Sequence, residues 1–246
     1  MKEFPKVYWL WNYRLWLLEQ AETVLSREQA TDVLQKELGL VSMMLSRDGR
    51  NFHGWGYRRL IVAQMERFTG NSMVETEFAY TEKMIRAALQ NFSALHYRSK
   101  LIPRLLNERK ASSGERRKML ASELNLMQEA LVDPYNQSPW FYHQFLMSTL
   151  SPDVSREGAI VLDLTDADRI QYYEREIEQI KEILEDFDDC KWVYEALLRY
   201  TAALSGLKGG LERESTAGTE EWLAKLRKLD PFRSGRWNDL QSDLKL

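Results

Sequence analysis

The sequence predicts an all-α protein made of stacked helical hairpins, and three observations predict it. Apolar residues recur at the three-and-four step of a helix, as in Trp9, Tyr13, Trp16 and Leu17, and again in Leu120, Leu124, Met127 and Leu131. Strand-like alternation is scarce, and no Asn-Gly or Asp-Gly turn separates two β-rich runs. One short aromatic-anchored pattern also returns five times: Trp11-Asn12-Tyr13-Arg14, Trp55-Gly56-Tyr57-Arg58, Leu95-His96-Tyr97-Arg98, Trp140-Phe141-Tyr142-His143 and Trp192-Val193-Tyr194-Glu195. A degenerate sixth copy, Trp237-Asn238-Asp239-Leu240, lies near the C-terminus. The steps between anchors are 44, 40, 45, 52 and 45 residues, each with room for two helices and two loops.

Taken in order, the first helix carries the Trp9–Leu17 stripe, and the turn Arg47-Asp48-Gly49-Arg50-Asn51 delivers the chain to the Trp55 motif. Asp133-Pro134-Tyr135-Asn136 and Asp230-Pro231-Phe232-Arg233 sit in the same place before Trp140 and Trp237. Asn51, Asn91 and Asn136 each precede an anchor by four residues, where Asn either caps a helix or bridges to a neighbouring unit. Ile170, Tyr173, Ile177, Ile180 and Leu184 mark a further amphipathic helix. Asn107 to Arg116 and Ser205 to Gly218 read as longer, mobile loops. The spacing is unbroken enough for a single domain over residues 1–246.

Composition narrows the function classes. Of 246 residues, 44% are hydrophobic and 29% charged, which suits a folded rather than a disordered chain. The lone Cys190 excludes an internal disulfide framework and fits a reducing compartment. No apolar run reaches the roughly 18 residues of a membrane span, and the N-terminus has no signal-peptide h-region, so a cytoplasmic location is expected. The net charge of −3 is unevenly placed: Arg98 to Lys118 holds eight basic and two acidic residues, and Asp153 to Asp189 thirteen acidic and four basic. These stretches are either solvated faces or two docking surfaces of opposite sign. One short basic stretch in an acidic chain argues against nucleic acid.

On each motif helix the anchor and the residue three later share a side, and the Tyr two later points roughly 160° further round. Trp11, Trp55, Trp140 and Trp192 are thus expected to fill the space between hairpins. The second and third positions form columns, from which Tyr57, Arg58, Tyr97, Arg98, Tyr142 and His143 are the candidate partner interface. The alternative is that these side chains satisfy carbonyls and acids inside the stack. His53, His96 and His143 occupy three helical phases in three hairpins and do not converge on a metal shell of about 2.0–2.1 Å. There is no phosphate-binding glycine loop and no specific nucleophile–base pair, so the chain is not an enzyme by itself.

The repeated Asn-aromatic-x-x-Trp-x-Tyr/His-Arg wording resembles the α subunits of protein prenyltransferases, from about Pro5 onward. Arg50-Asn51-Phe52-His53-Gly54-Trp55 and Asp133-Pro134-Tyr135-Asn136-Gln137-Ser138-Pro139-Trp140-Phe141-Tyr142-His143 are most similar to the Rab geranylgeranyltransferase (type II) group. The resemblance implies a right-handed superhelical array of hairpins, an α-α superhelix, wrapped around a β subunit that carries zinc. It implies transfer of geranylgeranyl from geranylgeranyl diphosphate to C-terminal cysteines of Rab GTPases presented by a Rab escort protein, with no cofactor held by this chain. It places Arg50 where the family has a diphosphate-facing Lys, and Phe52 where a relative has Tyr. Pro5-Lys6-Val7-Tyr8 resembles the family's second repeat, and the C-terminal end resembles the short fungal-type form. Two rivals remain: the farnesyltransferase/type I α subunit, and a non-enzymatic tetratricopeptide-like scaffold, whose units are 34 residues long against 40 to 52 here.

Overall fold

The computed structural model describes residues 6–209 and 213–244, with the side chains of 213–217 outside that description. The described residues form eleven α-helices and no strand. They are α1 (Tyr8–Val24), α2 (Arg27–Arg47), α3 (Phe52–Thr69), α4 (Val74–Ala87), α5 (Phe92–Glu108), α6 (Ser113–Ala130), α7 (Gln137–Ser148), α8 (Asp166–Asp186), α9 (Lys191–Lys208), α10 (Arg213–Leu229) and α11 (Ser234–Leu244), with a 3-10 turn at Pro231–Arg233. The odd-numbered helices carry the motifs. The chain groups into two compact units, Met1–Leu105 and Leu106–Leu246, divided within α5 shortly after Pro103. Hairpins that touch only their neighbours share no single core.

Local chemistry sets the helix ends. Ser26, Ser112 and Thr165 form reciprocal capping boxes with Gln29, Glu115 and Asp168. Asn51, Asn91 and Asn136 accept from Gly54, Ala94 and Ser138 backbone N–H at 2.9, 3.2 and 3.0 Å. Asn91 does both expected jobs, since its Nδ2 also donates to the Gly49 carbonyl at 2.9 Å. The expected loop at Asn107 to Arg116 is instead mostly helix, because the Ser112 box starts α6 at Ser113. The other expected loop also shortens: α9 runs to Lys208, Gly209 takes the left-handed conformation, and α10 begins at Arg213, while 210–212 lie outside the described residues. The longest irregular stretch, 149–165, accounts for the 52-residue step, and it buries Ala159, Ile160, Val161 and Leu164.

The anchors behave as expected. Trp11, Trp55, Trp140, Trp192 and Trp237 are all buried, as is Leu95. Trp55 and Trp140 donate their indole N–H to the carbonyls of Gly49 (2.8 Å) and Pro134 (2.7 Å), six residues back, which ties each motif helix to the turn before it. Trp237 reaches Asp230 in the same way at 2.8 Å.

From the second motif onward the columns are internal, which corrects the expected partner interface. Tyr57, Arg58, Tyr97, Arg98, Tyr142 and His143 are at most 6% exposed. On α3 the Tyr side is covered by α2 as fully as the Trp and Arg side, whereas Tyr13 on α1 is 52% exposed. A glutamate on the second helix of a hairpin joins the two columns, half-buried at Glu37 and fully buried at Glu77. Glu77 on α4 takes two hydrogen bonds from the Arg58 guanidinium, at 2.6 and 2.7 Å, and faces the Tyr97 hydroxyl. Glu37 on α2 pairs with Arg14 of α1 and accepts from the Tyr57 hydroxyl of α3 at 2.6 Å. Glu123 on α6 accepts from Tyr142 at 2.7 Å, and Glu176 on α8 lies 3.0 Å from His143 Nε2. Burial, reinforced by Glu37 and Glu77, holds the Tyr57 and Tyr97 phenols well above their ordinary range, so both remain donors. Arg98 donates to the Phe78 carbonyl at 3.2 Å and lies over the Phe78 ring. In the fifth motif the sign reverses: Glu195 holds this position and pairs with Arg199 and Arg236.

The oppositely charged stretches meet each other in the second unit. Arg117 pairs with Asp168 at 3.4 Å and Asp163 at 3.5 Å, and buried Arg116 donates to the Ile160 carbonyl at 3.1 Å.

Two predictions follow from these pairs. Arg58→Ala strands the Glu77 carboxylate, which is 0% exposed, and should lower unfolding stability by about 3–5 kcal/mol in urea. The apolar pair Arg58→Met with Glu77→Leu should recover most of that loss. For Glu176, burial alone would raise the carboxyl, but hydrogen bonds from His143 and Arg175 hold it below its ordinary value of 4.5. Its contribution is therefore complete above 4.5 and vanishes as pH falls through the lower folded value. Urea midpoints at neutral pH and at about pH 3 should differ less in Glu176→Gln than in the parent, once the variant's lower neutral stability is subtracted.

Candidate partner-facing site

With the columns buried, the outward chemistry of the first unit lies on its turns and at the heads of its motif helices. Arg50 sits on the turn between α2 and α3, and its side chain is exposed. The backbone beneath it is firmly held. The Gly49 carbonyl accepts from both Trp55 and Asn91, Asn51 N–H donates to Asp48 O at 3.1 Å, and Asn51 then caps α3. A Cβ at position 49 would come within 3.1 Å of Asn91 Nδ2, the atom that binds its carbonyl, so the Asn91 side chain would have to give by a few tenths of an ångström. A rigid base and a free cation result. Arg50 pairs with no carboxylate among the described residues.

Directly after the cap positions comes an exposed aromatic series. Tyr8, Phe52 and Phe92 lie three residues before their anchors and are 69%, 74% and 44% exposed. His53 bridges α1 and α3, with its ring centroid 4.2 Å from Tyr8 and 6.1 Å from Trp11. His96 stacks on Phe92 at 6.1 Å. Burial, followed by the charges of Lys100 and Arg59, lowers the His96 pKa and keeps its imidazole neutral near pH 7. Exposed Arg59 and Lys100 therefore supply the positive charge around it. Apolar rings beside unpaired cations suit a partner surface that is both apolar and anionic.

The Asn-aromatic part of the repeated wording contains Phe52 and Phe92, directly after Asn51 and Asn91. The glutamates that meet the Tyr column have no counterpart in the sequence reading, although Glu37, Glu77 and Glu123 precede Tyr57, Tyr97 and Tyr142 by 20, 20 and 19 residues. That regularity is the signal that could have found them. In the second unit, Trp140, Phe141, Trp192 and Tyr200 line a shallow recess with Glu195 and Arg199, and Phe141 packs edge-on against Trp192 at 5.6 Å. Among the described residues no three metal-ligating side chains converge.

Comparison with known proteins fits this architecture. A model described as "Protein prenyltransferase alpha subunit repeat" matches residues 1–21, 34–65 and 74–105. The chain is 36% identical over 215 residues to the geranylgeranyl transferase type-2 subunit alpha of Schizosaccharomyces pombe, covering 85% of this chain and 61% of the relative. Its identity to the protein of that name from Saccharomyces cerevisiae is 31% over 247 residues, covering 96% of this chain and 68% of the relative. The human protein of that name is 36% identical over 153 residues, 60% of this chain and 24% of the relative. Thus the chain spans only about two thirds of the fungal relatives and much less of the human one. Among solved structures, Candida albicans protein geranylgeranyltransferase-I complexed with GGPP superposes with a TM-score of 0.59 at 22% identity, over 97% of this chain and 67% of that one, a likeness of fold. A helical-hairpin architecture, repeats that match the family's model, and identity along nearly the whole chain lead to one conclusion: this chain belongs to the protein prenyltransferase α-subunit family.

Proposed function

We propose that the chain acts as the α subunit of a type II protein geranylgeranyltransferase, a scaffold for a β subunit that carries the zinc and the isoprenoid pocket. The complex transfers geranylgeranyl from geranylgeranyl diphosphate to C-terminal cysteines of Rab GTPases presented by a Rab escort protein, in the cytoplasm. The observation that carries this reading is the identity to type-2 α subunits along almost the full chain. The exposed Arg50 and the Tyr8, Phe52 and Phe92 series support it as the surface offered to β. Membership of the family removes the tetratricopeptide-like scaffold. The type I α subunit stays as the alternative, because the superposed structure is a type I enzyme. Co-expression with each class of β subunit tests the choice: co-purification and geranylgeranylation of Rab proteins only with the type II β supports it, and assembly with the type I β alone overturns it.

Arg50 is the side chain assigned to the chemistry. As the thioether forms, negative charge builds on the departing diphosphate, and a fixed cation stabilises that state more than the ground state. The clamped turn beneath Arg50 supplies the fixity. In the heterodimer, Arg50→Ala should slow single-turnover transfer about 10–100-fold, roughly 1.4–2.7 kcal/mol, with subunit affinity unchanged, and Arg50→Lys should keep most of the rate. Interfaces concentrate binding energy in central aromatic side chains. Phe52→Glu with Phe92→Glu should therefore weaken β binding at least about tenfold while leaving the thermal midpoint of the α chain unchanged, the opposite of what Arg58→Ala does.

A further inference from the structure

The basic stretch from Arg98 to Lys118 is only partly used by the contacts described above, in which Arg116 and Arg117 face the 149–165 segment. Its part outside the helices is the turn between α5 and α6. Glu108 ends α5 and Ser113 begins α6, so Arg109, Lys110, Ala111 and Ser112 belong to neither. Arg109, Lys110 and Ser112 are exposed, and the Ser112 backbone is extended, with φ −65° and ψ 162°. Ser112 is the one serine or threonine of the sequence with basic residues at both the third and the second position before it. Lys110 has a φ of 50°, in the left-handed region that favours glycine. Its ammonium makes no ion pair among the described residues, so neither the backbone nor a partner carboxylate accounts for a lysine there.

Two cations followed at once by an exposed hydroxyl suit a partner whose peptide groove is lined with carboxylates, the charge pattern by which basophilic protein kinases select substrates. We propose that Ser112 is a phosphorylation site for a kinase of this class, read through Arg109 and Lys110, with ATP as the phosphoryl donor. Ser112 Oγ attacks the γ-phosphorus, the bond from that phosphorus to the β–γ bridging oxygen breaks, and ADP leaves. The hydroxyl proton passes to the kinase's general base. The product alters the start of α6. In the unmodified chain Glu115 Oε2 accepts from the Ser112 N–H and from its hydroxyl, each at 2.7 Å. Phosphorylation removes that hydroxyl donor and sets a charge of about −1.5 to −2 against the carboxylate. The capping box opens, and Glu115 turns out to solvent. The Glu115 carboxyl is held below its ordinary value of 4.5 chiefly by its hydrogen bonds to Ser112, then by the charges of Lys118 and Arg109. Opening the box therefore moves it upward.

The experiment incubates the folded full chain with ATP and the catalytic subunit of cyclic-AMP-dependent protein kinase, a basophilic enzyme. One phosphate should enter, and peptide mapping should place it on Ser112. Ser112→Ala should abolish uptake, and Ser113→Ala should leave it intact. Ser112→Thr keeps both a hydroxyl and a capping side chain, so it should still be phosphorylated in a chain whose α6 start is undisturbed. Lys110→Gly suits the left-handed backbone and removes one recognition charge without cost to the turn. Combined with Arg109→Gln, it should lower kcat/KM for the phosphorylation at least about tenfold, with the thermal midpoint of the chain maintained. In the phosphorylated chain, carboxyl NMR should show Glu115 titrating higher than in the parent. No uptake, phosphate on another residue, uptake confined to urea-unfolded chain, or an unchanged kcat/KM in the double variant would each overturn the proposal. An unmoved Glu115 titration would overturn the opening of the capping box.

Discussion

A carboxylate placed on the second helix of a hairpin, bound by the cation of its own motif helix and by the phenol of the next, is the interaction on which the stacking depends. Apolar burial drives helices together but says little about how far one slides along another. Glu77 does, because the Arg58 fork and the Tyr97 hydroxyl reach it from different helices, and a shift of one turn would leave it alone in the interior. A buried ion pair of this kind contributes little net stability over an apolar pair of equal volume. Its contribution is alignment. The Trp anchors supply the volume, and the Glu, Arg and Tyr sets supply the register.

That division of labour leaves the outer chemistry free. Since the repeat's strongest polar groups are consumed inside, the surface of the first unit is written by residues outside the columns: Arg50 on its turn, the aromatic head positions, and Arg59 and Lys100 around a neutral His96. The double use of the Gly49 carbonyl ties that surface to the interior, because the bond that seats Trp55 also fixes the backbone that carries Arg50. Positioning of a cation to within a fraction of an ångström needs such support.

The hairpin order was legible because helical period, anchor spacing and Asn or Pro punctuation all agree along the chain. The Tyr and Arg columns were legible as columns but not as interior, since helical phase tells which residues share a side and not how many sides are covered. Asn107 to Arg116 reads as loop from its Asn, Ser and Gly content, and the same Ser112 and Glu115 that make it polar start α6. The glutamates that meet the Tyr column escaped because acids are ordinarily read as solvated, and only their constant offset from that column sets them apart. Cys190, a cap residue with no helix-capping side chain, shows the same rule at work: its thiol reaches the Pro134 carbonyl at 3.2 Å, the bond that Asn91 makes to Gly49.

The reversed polarity at Glu195 bears on how a chain of hairpins with a shared motif avoids assembling in the wrong order. Hairpins of one architecture can trade places during folding or exchange between molecules, a common failure of such arrays. Where most hairpins present a cation to a waiting acid, this one presents an acid to Arg199 and Arg236. Docked in place of a sibling, it would set carboxylate against carboxylate in a dry interior, and a register error becomes an electrostatic one. One sign change in the series thus labels that hairpin with an address, and the chain can count its own repeats.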